Sequence, residues 1–399
     1  MNTQRMSWSE LLGFYEKHLF EQVMPFWLKH AIDDRHGGIN NIIRDDGAVI
    51  STDKIIWSQG RALWTFSAIH NYLDQDPKWL ETAHGIARLL FKHGRNNDGA
   101  WVFRIHEDGR IADPTTSIYV DAFVTYGMTE YARATGSAEA LQIALDNYAR
   151  VLPLLYDHKT LPTAPLPIPE GLQAHGPFMI YALVFYELGL LTQRDDIMQE
   201  ALRAAETIMT EHVHPEERVL FEYVQPGGTL ASTDAGRTYI PGHAIESMWF
   251  LERIYTLYSQ PERVRQTLDV IRWNLEKGWD SEYGGIFLAR HLDGGPPAWF
   301  KPDSKVWWPA TETLYALLRA YELSGESWCL DWYWQVHDYS FARYPNLEHG
   351  EWRQNLDRYG EPMEPVVSTL PVKDPFHLPR ALLLAIQTLR RLAAAQSPA

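Results

Sequence analysis

A short loop marked by glycine or acidic residues returns six times along this chain, and that recurrence restricts the fold more than any other feature. The copies are Asp33-Asp34-Arg35-His36-Gly37-Gly38, Asn96-Asn97-Asp98-Gly99, Asp157-His158-Lys159, His214-Pro215-Glu216-Glu217, Asp280-Ser281-Glu282-Tyr283-Gly284-Gly285 and Asn346-Leu347-Glu348-His349-Gly350. Most lead into a short aromatic or β-branched stretch, such as Trp101-Val102-Phe103, Leu220-Phe221-Glu222-Tyr223 or Ile286-Phe287-Leu288. Six units across 399 residues average about 66 residues each, and such recurrence is the signature of a repeat architecture.

Each unit reads as two helices. The first opens on a capping box, Ser7-Trp8-Ser9-Glu10, and keeps helical periodicity to Ala31. Its partner spans 53–73. The later pairs are 77–93 with 115–135, 137–155 with 170–192, 195–212 with 241–259, 261–278 with 305–324, and 326–343 with 375–394. The expected fold is therefore all-α: an (α/α)6 barrel over residues 1–399, a single domain with short β-hairpins at the loop end. An open solenoid needs polar terminal caps, and neither end shows one, so closure is favoured.

Composition limits the partners. A net charge of -15 and the absence of a basic stripe argue against nucleic acid. No apolar run approaches the roughly 20 residues a membrane span requires, and the charged, amphipathic start does not read as a signal peptide. The lone Cys329 fits a reducing, cytoplasmic setting. The 16 Trp residues are mostly wall material, with Trp57 and Trp308 set apart because they adjoin polar positions.

Those polar positions lie at the starts of the second helices, which are otherwise apolar nearly all round. They are Arg61, Asp121, His175, His243 with Glu246, Glu312 and His377. A closed ring would gather them at one mouth, and burying so many ionisable groups is costly unless they pair or do chemistry. The blander alternatives are a core hydrogen bond for His175, a brace for Asp121, and a counter-ion role for Arg61 toward Glu246 or Glu312. Glu246, three residues after His243, could simply satisfy that imidazole. His158, His212, His214 and His349, in or beside the marker loops, read as solvated. No H-E-x-x-H, G-x-S-x-G or Walker loop occurs. No metal is expected; one held by His243, His377 and Glu312 is the lesser alternative.

Three segments then carry a resemblance: Asp53-Lys54-Ile55-Ile56-Trp57-Ser58-Gln59-Gly60-Arg61, Pro241-Gly242-His243-Ala244-Ile245-Glu246 and Lys305-Val306-Trp307-Trp308-Pro309-Ala310-Thr311-Glu312, followed by Phe376-His377-Leu378-Pro379-Arg380. In this order they resemble the N-acylglucosamine 2-epimerase superfamily, which includes cellobiose and mannose 2-epimerases and mannose isomerases. The resemblance implies an (α/α)6 barrel and active-site positions at Arg61, His243, Glu246, Glu312 and His377. It also implies pocket positions at Glu222 and Arg237, and C2 proton transfer without a metal or other cofactor. Ile240 stands where N-acylglucosamine epimerases tend to carry Asn, and Ala310 where they tend to carry His. Pro371-Val372-Lys373-Asp374-Pro375 replaces a Lys- and Gly-rich approach, and His175 a small apolar residue. These departures favour an unsubstituted hexose.

The expected reaction removes the C2 proton through an enediolate, with His243 and His377 as proton carriers and Arg61 on the developing oxyanion. Trp57, Trp308, Asp121, His175, Glu222 and Arg237 are the expected substrate contacts. Mannose–fructose isomerisation is the favoured outcome, 2-epimerisation the alternative, and a glycoside hydrolase using Glu246 and Glu312 a remoter one. The expected partner is a monosaccharide, and the protein a monomer or homodimer.

Overall fold

The computed structural model describes residues 5–157, 161–363 and 372–396. The first helical stretch is α1 (Trp8–Lys17), a π-helical segment (His18–Val23) and α2 (Met24–His30). The capping box forms as expected: Ser7 Oγ accepts from Glu10 N, and Glu10 Oε2 accepts from Ser7 N at 2.8 Å. There follow α3 (Ile56–Tyr72), α4 (Pro77–Lys92), α5 (Ile118–Thr135), α6 (Ala138–Leu155), α7 (His175–Thr192) and α8 (Asp195–Thr207). The rest are α9 (Pro241–Leu257), α10 (Pro261–Gly278), α11 (Trp307–Ser324), α12 (Ser327–Arg343) and α13 (His377–Gln396).

Burial sorts these into two layers. Every residue from Ile118 to Ala132 in α5, and from His175 to Gly189 in α7, is buried, which requires neighbours all round. By contrast α4 buries one face, Trp79, Ala83, Ile86, Ala87, Leu89 and Leu90. The inner helices α3, α5, α7, α9, α11 and α13 pack in that order, and α13 returns to α3, so the ring closes. At the tightest crossing, between α3 and α5, Gly60 and Gly127 let the backbones meet. A Cβ on Gly127 would stand 2.3 Å from the Gly60 carbonyl oxygen.

The pairing of helices differs in phase from the sequence-based expectation. Each inner helix packs most closely on the outer helix that follows it, α3 on α4, α5 on α6, α7 on α8, α9 on α10 and α11 on α12, while α13 packs on α1. The cause is the turn chemistry. Left-handed caps at Gly136, Gln193 and Gly325 reverse the chain at once, and Ser137 caps the next helix by accepting from Ala140 N. The longer loops run back to the inner layer and carry the strands.

These strands do more than form hairpins. Lys54–Ile55, just before α3, pairs with Arg104–Ile105; Gln173–Ala174 pairs with Tyr223–Val224; Thr238–Tyr239 with Arg290–His291; Lys305–Val306 with Asn355–Leu356. An isolated bridge joins Ser117 to Thr163, and Lys373 N donates to Asn41 O at 2.9 Å. Each loop is thereby stitched to the next around the whole mouth. The recurring acidic loops gain a reason: Asp33 receives Lys54 Nζ at 2.6 Å and Asp280 receives Lys305 Nζ at 2.9 Å, both lysines fully buried. Five tryptophans, Trp27, Trp79, Trp101, Trp249 and Trp352, are fully buried wall residues. No helix among the described residues is long and apolar enough to cross a membrane.

Candidate active site

Four inner helices, α3, α7, α9 and α11, begin just after a strand of the mouth, α5 follows the Ser117 bridge and α13 the Lys373–Asn41 bond, so all six point their N-termini to the same end. The positive ends of their dipoles favour carboxylates there. Two histidine–carboxylate groups form in the first turns of these helices.

In the first group, His243 Nδ1 lies 2.9 Å from Glu222 Oε2. Glu222 is pinned by its own backbone: its carbonyl accepts from His175 N at 2.9 Å and its N–H donates to Thr238 O at 3.2 Å. His175, fully buried at the start of α7, bonds Ser247 Oγ through Nε2 at 2.6 Å, and its Nδ1 lies 3.7 Å from Glu222 Oε2.

In the second group, His377 Nδ1 lies 2.8 Å from Glu312 Oε1 and 3.9 Å from Glu246 Oε1. Arg380, one helical turn after His377 and fully buried, donates Nη2 to Glu312 Oε1 at 2.8 Å and to Glu246 Oε1. Trp249 Nε1 donates to Glu312 Oε2 at 3.0 Å. The two groups meet at Trp308, whose ring centroid is 5.0 Å from that of His243 and 5.7 Å from that of His377. Each Nδ1 is occupied by a carboxylate, and the two side chains keep 18% and 9% exposure, which leaves their Nε2 edges free for a ligand.

Arg61 completes the site from α3. Its guanidinium lies against Phe123, Phe376 and Trp57, at 4.1, 4.8 and 4.9 Å from the ring centroids. Nη1 is 3.5 Å from Asp374 Oδ2, which also accepts from Ser58 Oγ at 2.8 Å. This cation is anchored from one side, with Nε unpartnered among the described residues.

The two histidines are tuned in opposite directions. Burial disfavours charge on His243, but the charge and hydrogen bond of Glu222, with Glu246 behind, outweigh it and hold the imidazole above its ordinary pKa. Burial likewise disfavours charge on His377; Glu246 opposes this, while Arg61 and Arg380 reinforce it, and the imidazole is held well below its ordinary value. The physical difference is ownership of the carboxylate. Glu222 serves histidines alone, whereas Glu246 and Glu312 are shared with Arg380. His243 is thus the readier of the two to hold a proton, and His377 the readier to give one up.

The structure brings together Arg61, His243, Glu246, Glu312, His377, Glu222, His175 and Trp308, with Trp57 stacked on Arg61 and Phe123. Several expected pairings change. Glu246 does not satisfy His243; it binds Arg380, and Glu222 takes the imidazole instead. Arg61 is the counter-ion of Asp374. Asp121 is turned away from the mouth: both its oxygens bind Arg150 of α6. Arg237 sits toward the rim with its fork on Asp293, Nε and Nη2 at 2.8 and 2.9 Å. His243, His377 and Glu312 do not make one ligand set, since His243 falls in the other group. His212 is buried rather than solvated, bonded to Phe221 O and Gln173; His158 lies outside the described residues. Arg380, Asp374, Ser247 and Trp249 went unassigned. The three-residue spacing of His377 and Arg380 was a usable signal, because it puts both on one helical face.

The pH profile should report this tuning. Glu222→Gln removes the charge that raises His243, so the alkaline loss of kcat/KM should move to lower pH while the acid limb, set by His377, stays in place. An unchanged alkaline limb would contradict the assignment.

Two carboxylate-paired imidazoles and one anchored guanidinium at the mouth of a ring of helices form a set able to move protons on a bound ligand. The family model described as N-acylglucosamine 2-epimerase (GlcNAc 2-epimerase) matches residues 37–378, and the chain belongs to that family. It is 29% identical over 393 residues to N-acylglucosamine 2-epimerase of Bos taurus, covering 95% of this chain and 91% of that protein. Its fold is similar to that of cellobiose 2-epimerase from Spirochaeta thermophila DSM 6192 (TM-score 0.84, 22% identity, 98% and 100% of the two chains). It is also similar to that of a D-mannose isomerase (TM-score 0.81, 17% identity, 97% and 100% of the two chains).

Proposed function

We propose that the protein moves the C2 proton of an unsubstituted hexose and that its principal reaction is 2-epimerisation. The observation carrying this reading is geometric: two histidines, each with Nδ1 on a carboxylate, face one tryptophan ring from 5.0 and 5.7 Å. After ring opening, neutral His377 takes the C2 proton, and the charge that develops on the aldehyde oxygen is held by Arg61. Protonated His243 returns a proton to the other face of C2, giving the 2-epimer and leaving the histidines with exchanged states; solvent resets them. Trp308 offers its ring to the apolar face of the sugar. Ile240 and Ala310, both buried and unable to hydrogen-bond through their side chains, offer nothing to an acetamido group.

A second reading follows from the same two residues, because the polar groups typical of N-acylglucosamine epimerases are missing there. On that reading the proton goes to C1 and mannose becomes fructose. Incubation with mannose, glucose, N-acetylglucosamine and cellobiose in deuterated water separates the two. Epimerisation places deuterium at C2 of the opposite aldose; isomerisation yields fructose. Turnover of N-acetylglucosamine in preference to the plain hexoses would overturn the substrate assignment.

A further inference from the structure

The two histidine–carboxylate groups at the mouth differ in one respect that the reaction does not require. The Glu246–Glu312–His377 group already holds a permanent cation, since Arg380 Nη2 reaches both carboxylates. The His175–Glu222–His243 group holds none. Its ligand atoms, one from each residue, lie within 4.8 Å of one another. His243 Nδ1 and His175 Nδ1 stand 2.9 and 3.7 Å from the same oxygen, Glu222 Oε2.

His175 supplies the independent observation. Its side chain is fully buried, and its Nδ1 has no hydrogen-bond partner among the described residues. Its other nitrogen is fixed on Ser247 Oγ at 2.6 Å. In the tautomer whose Nε2–H donates to Ser247, the lone pair of Nδ1 faces the carboxylate. Metal-binding imidazoles are oriented in this way, one nitrogen on a hydrogen-bonding partner and the other on the ion. Tetrahedral zinc with bonds of about 2.0–2.1 Å places its ligand atoms about 3.3–3.4 Å apart. The two measured separations from Glu222 Oε2 bracket that figure. Two imidazole nitrogens and one carboxylate oxygen suit a borderline cation of the zinc class and not Mg2+ or Ca2+, which demand oxygen ligands.

We propose that His175, Glu222 and His243 form a binding site for Zn2+ or a similar borderline divalent ion, and that an ion there ties up His243. The ion replaces the proton at His243 Nδ1 and pulls the ring toward Glu222 and His175. The site is thus an inhibitory one, a place where a trace metal and the sugar reaction compete for one imidazole. Binding stands on the geometry alone; inhibition rests on the proposed role of His243, so the two are measured separately.

Titrating the apo protein with ZnCl2 in a calorimeter, without sugar, should show one site. Diffraction from crystals soaked in ZnCl2, collected at the zinc edge, should place one anomalous peak among the three ligand atoms. His175→Ala should weaken binding by more than about 100-fold, since loss even of a partner that merely orients a ligand costs about 10–100-fold. Ser247→Ala should weaken it within that smaller range, while His377→Ala, in the other group, should leave Zn2+ affinity unchanged. Thermal melts of each variant check folding, and the Ser247 variant keeps the test informative if the His175 variant does not fold. The proposal is overturned by absence of binding, by an anomalous peak at His377 or only at surface histidines, or by equal Zn2+ affinity in the Ser247 and His175 variants and the native protein. If Zn2+ binds at the site and leaves turnover of a confirmed sugar substrate untouched, the inhibitory role fails while the site stands.

Discussion

Alanine at His377 or at His243 is expected to lower kcat for epimerisation by about 10²–10⁴-fold, the usual worth of a positioned acid or base. The more telling result is what each variant keeps. A two-base reaction uses one histidine to remove the C2 proton from one epimer and the other to remove it from the opposite epimer. His243→Ala should therefore still exchange the C2 proton of one epimer with deuterated water without inverting it, and His377→Ala should do so only with the other. Proton NMR of glucose and mannose incubated separately reads this directly. If one variant loses exchange with both sugars while the other keeps both, a single base serves both faces, and the two-histidine assignment fails. His243→Ala also leaves buried Glu222 without its hydrogen-bond partner, which costs stability, so melting curves separate that loss from the loss of chemistry.

The second large effect concerns Arg380, which never needs to touch a sugar. Its guanidinium is fully buried between Phe376, Trp249 and Phe250, at 4.4, 5.1 and 5.4 Å from their ring centroids. Arg380→Leu leaves Glu246 and Glu312 facing one another without a cation, and breaking a buried charge set in this way costs about 3–5 kcal/mol. Adding Glu246→Gln and Glu312→Gln should restore much of that stability, because removing all the charges together avoids the penalty. Denaturant titration measures both. If the single variant still folds, its pH profile must also change. Without Arg380 the two carboxylates raise the pKa of His377, the neutral form needed as base is lost earlier on acidification, and the acid limb moves to higher pH. A stability loss with an unmoved acid limb would reduce Arg380 to a structural brace.

These two cases also show what the sequence could and could not reveal. The helices were legible because each inner helix is apolar all round and each outer one striped, and the polar exceptions were legible as exceptions. Arg61, His243, Glu246, Glu312 and His377 could be gathered at one mouth from their shared place in the first turns of the inner helices. Their partners could not. Spacing along one helix suggested Glu246 for His243, but the carboxylate that reaches it comes from the Leu220–Tyr223 stretch, held there by strand pairing with Gln173–Ala174. Asp121 had the right position in its helix, yet Arg150 on the outer layer draws it outward, an attraction between elements that helical periodicity does not encode. The phase of the hairpins was missed for a related reason: tight turns at Gly136 and Gly325 weigh less in a reading of long loops than they do in three dimensions.

The backbone bond from Lys373 to Asn41 closes a ring whose first inner helix brings Arg61 and whose last brings His377. On the ribosome, such a protein has no useful half. Five inner helices can emerge and pack on their outer partners, yet the wall where α13 belongs stays open, with apolar faces of α3 and α11 bare. Arg61 and His377 come together only once α13 has closed the ring. A copy without α13 therefore lacks an assembled site and leaves an apolar wall uncovered.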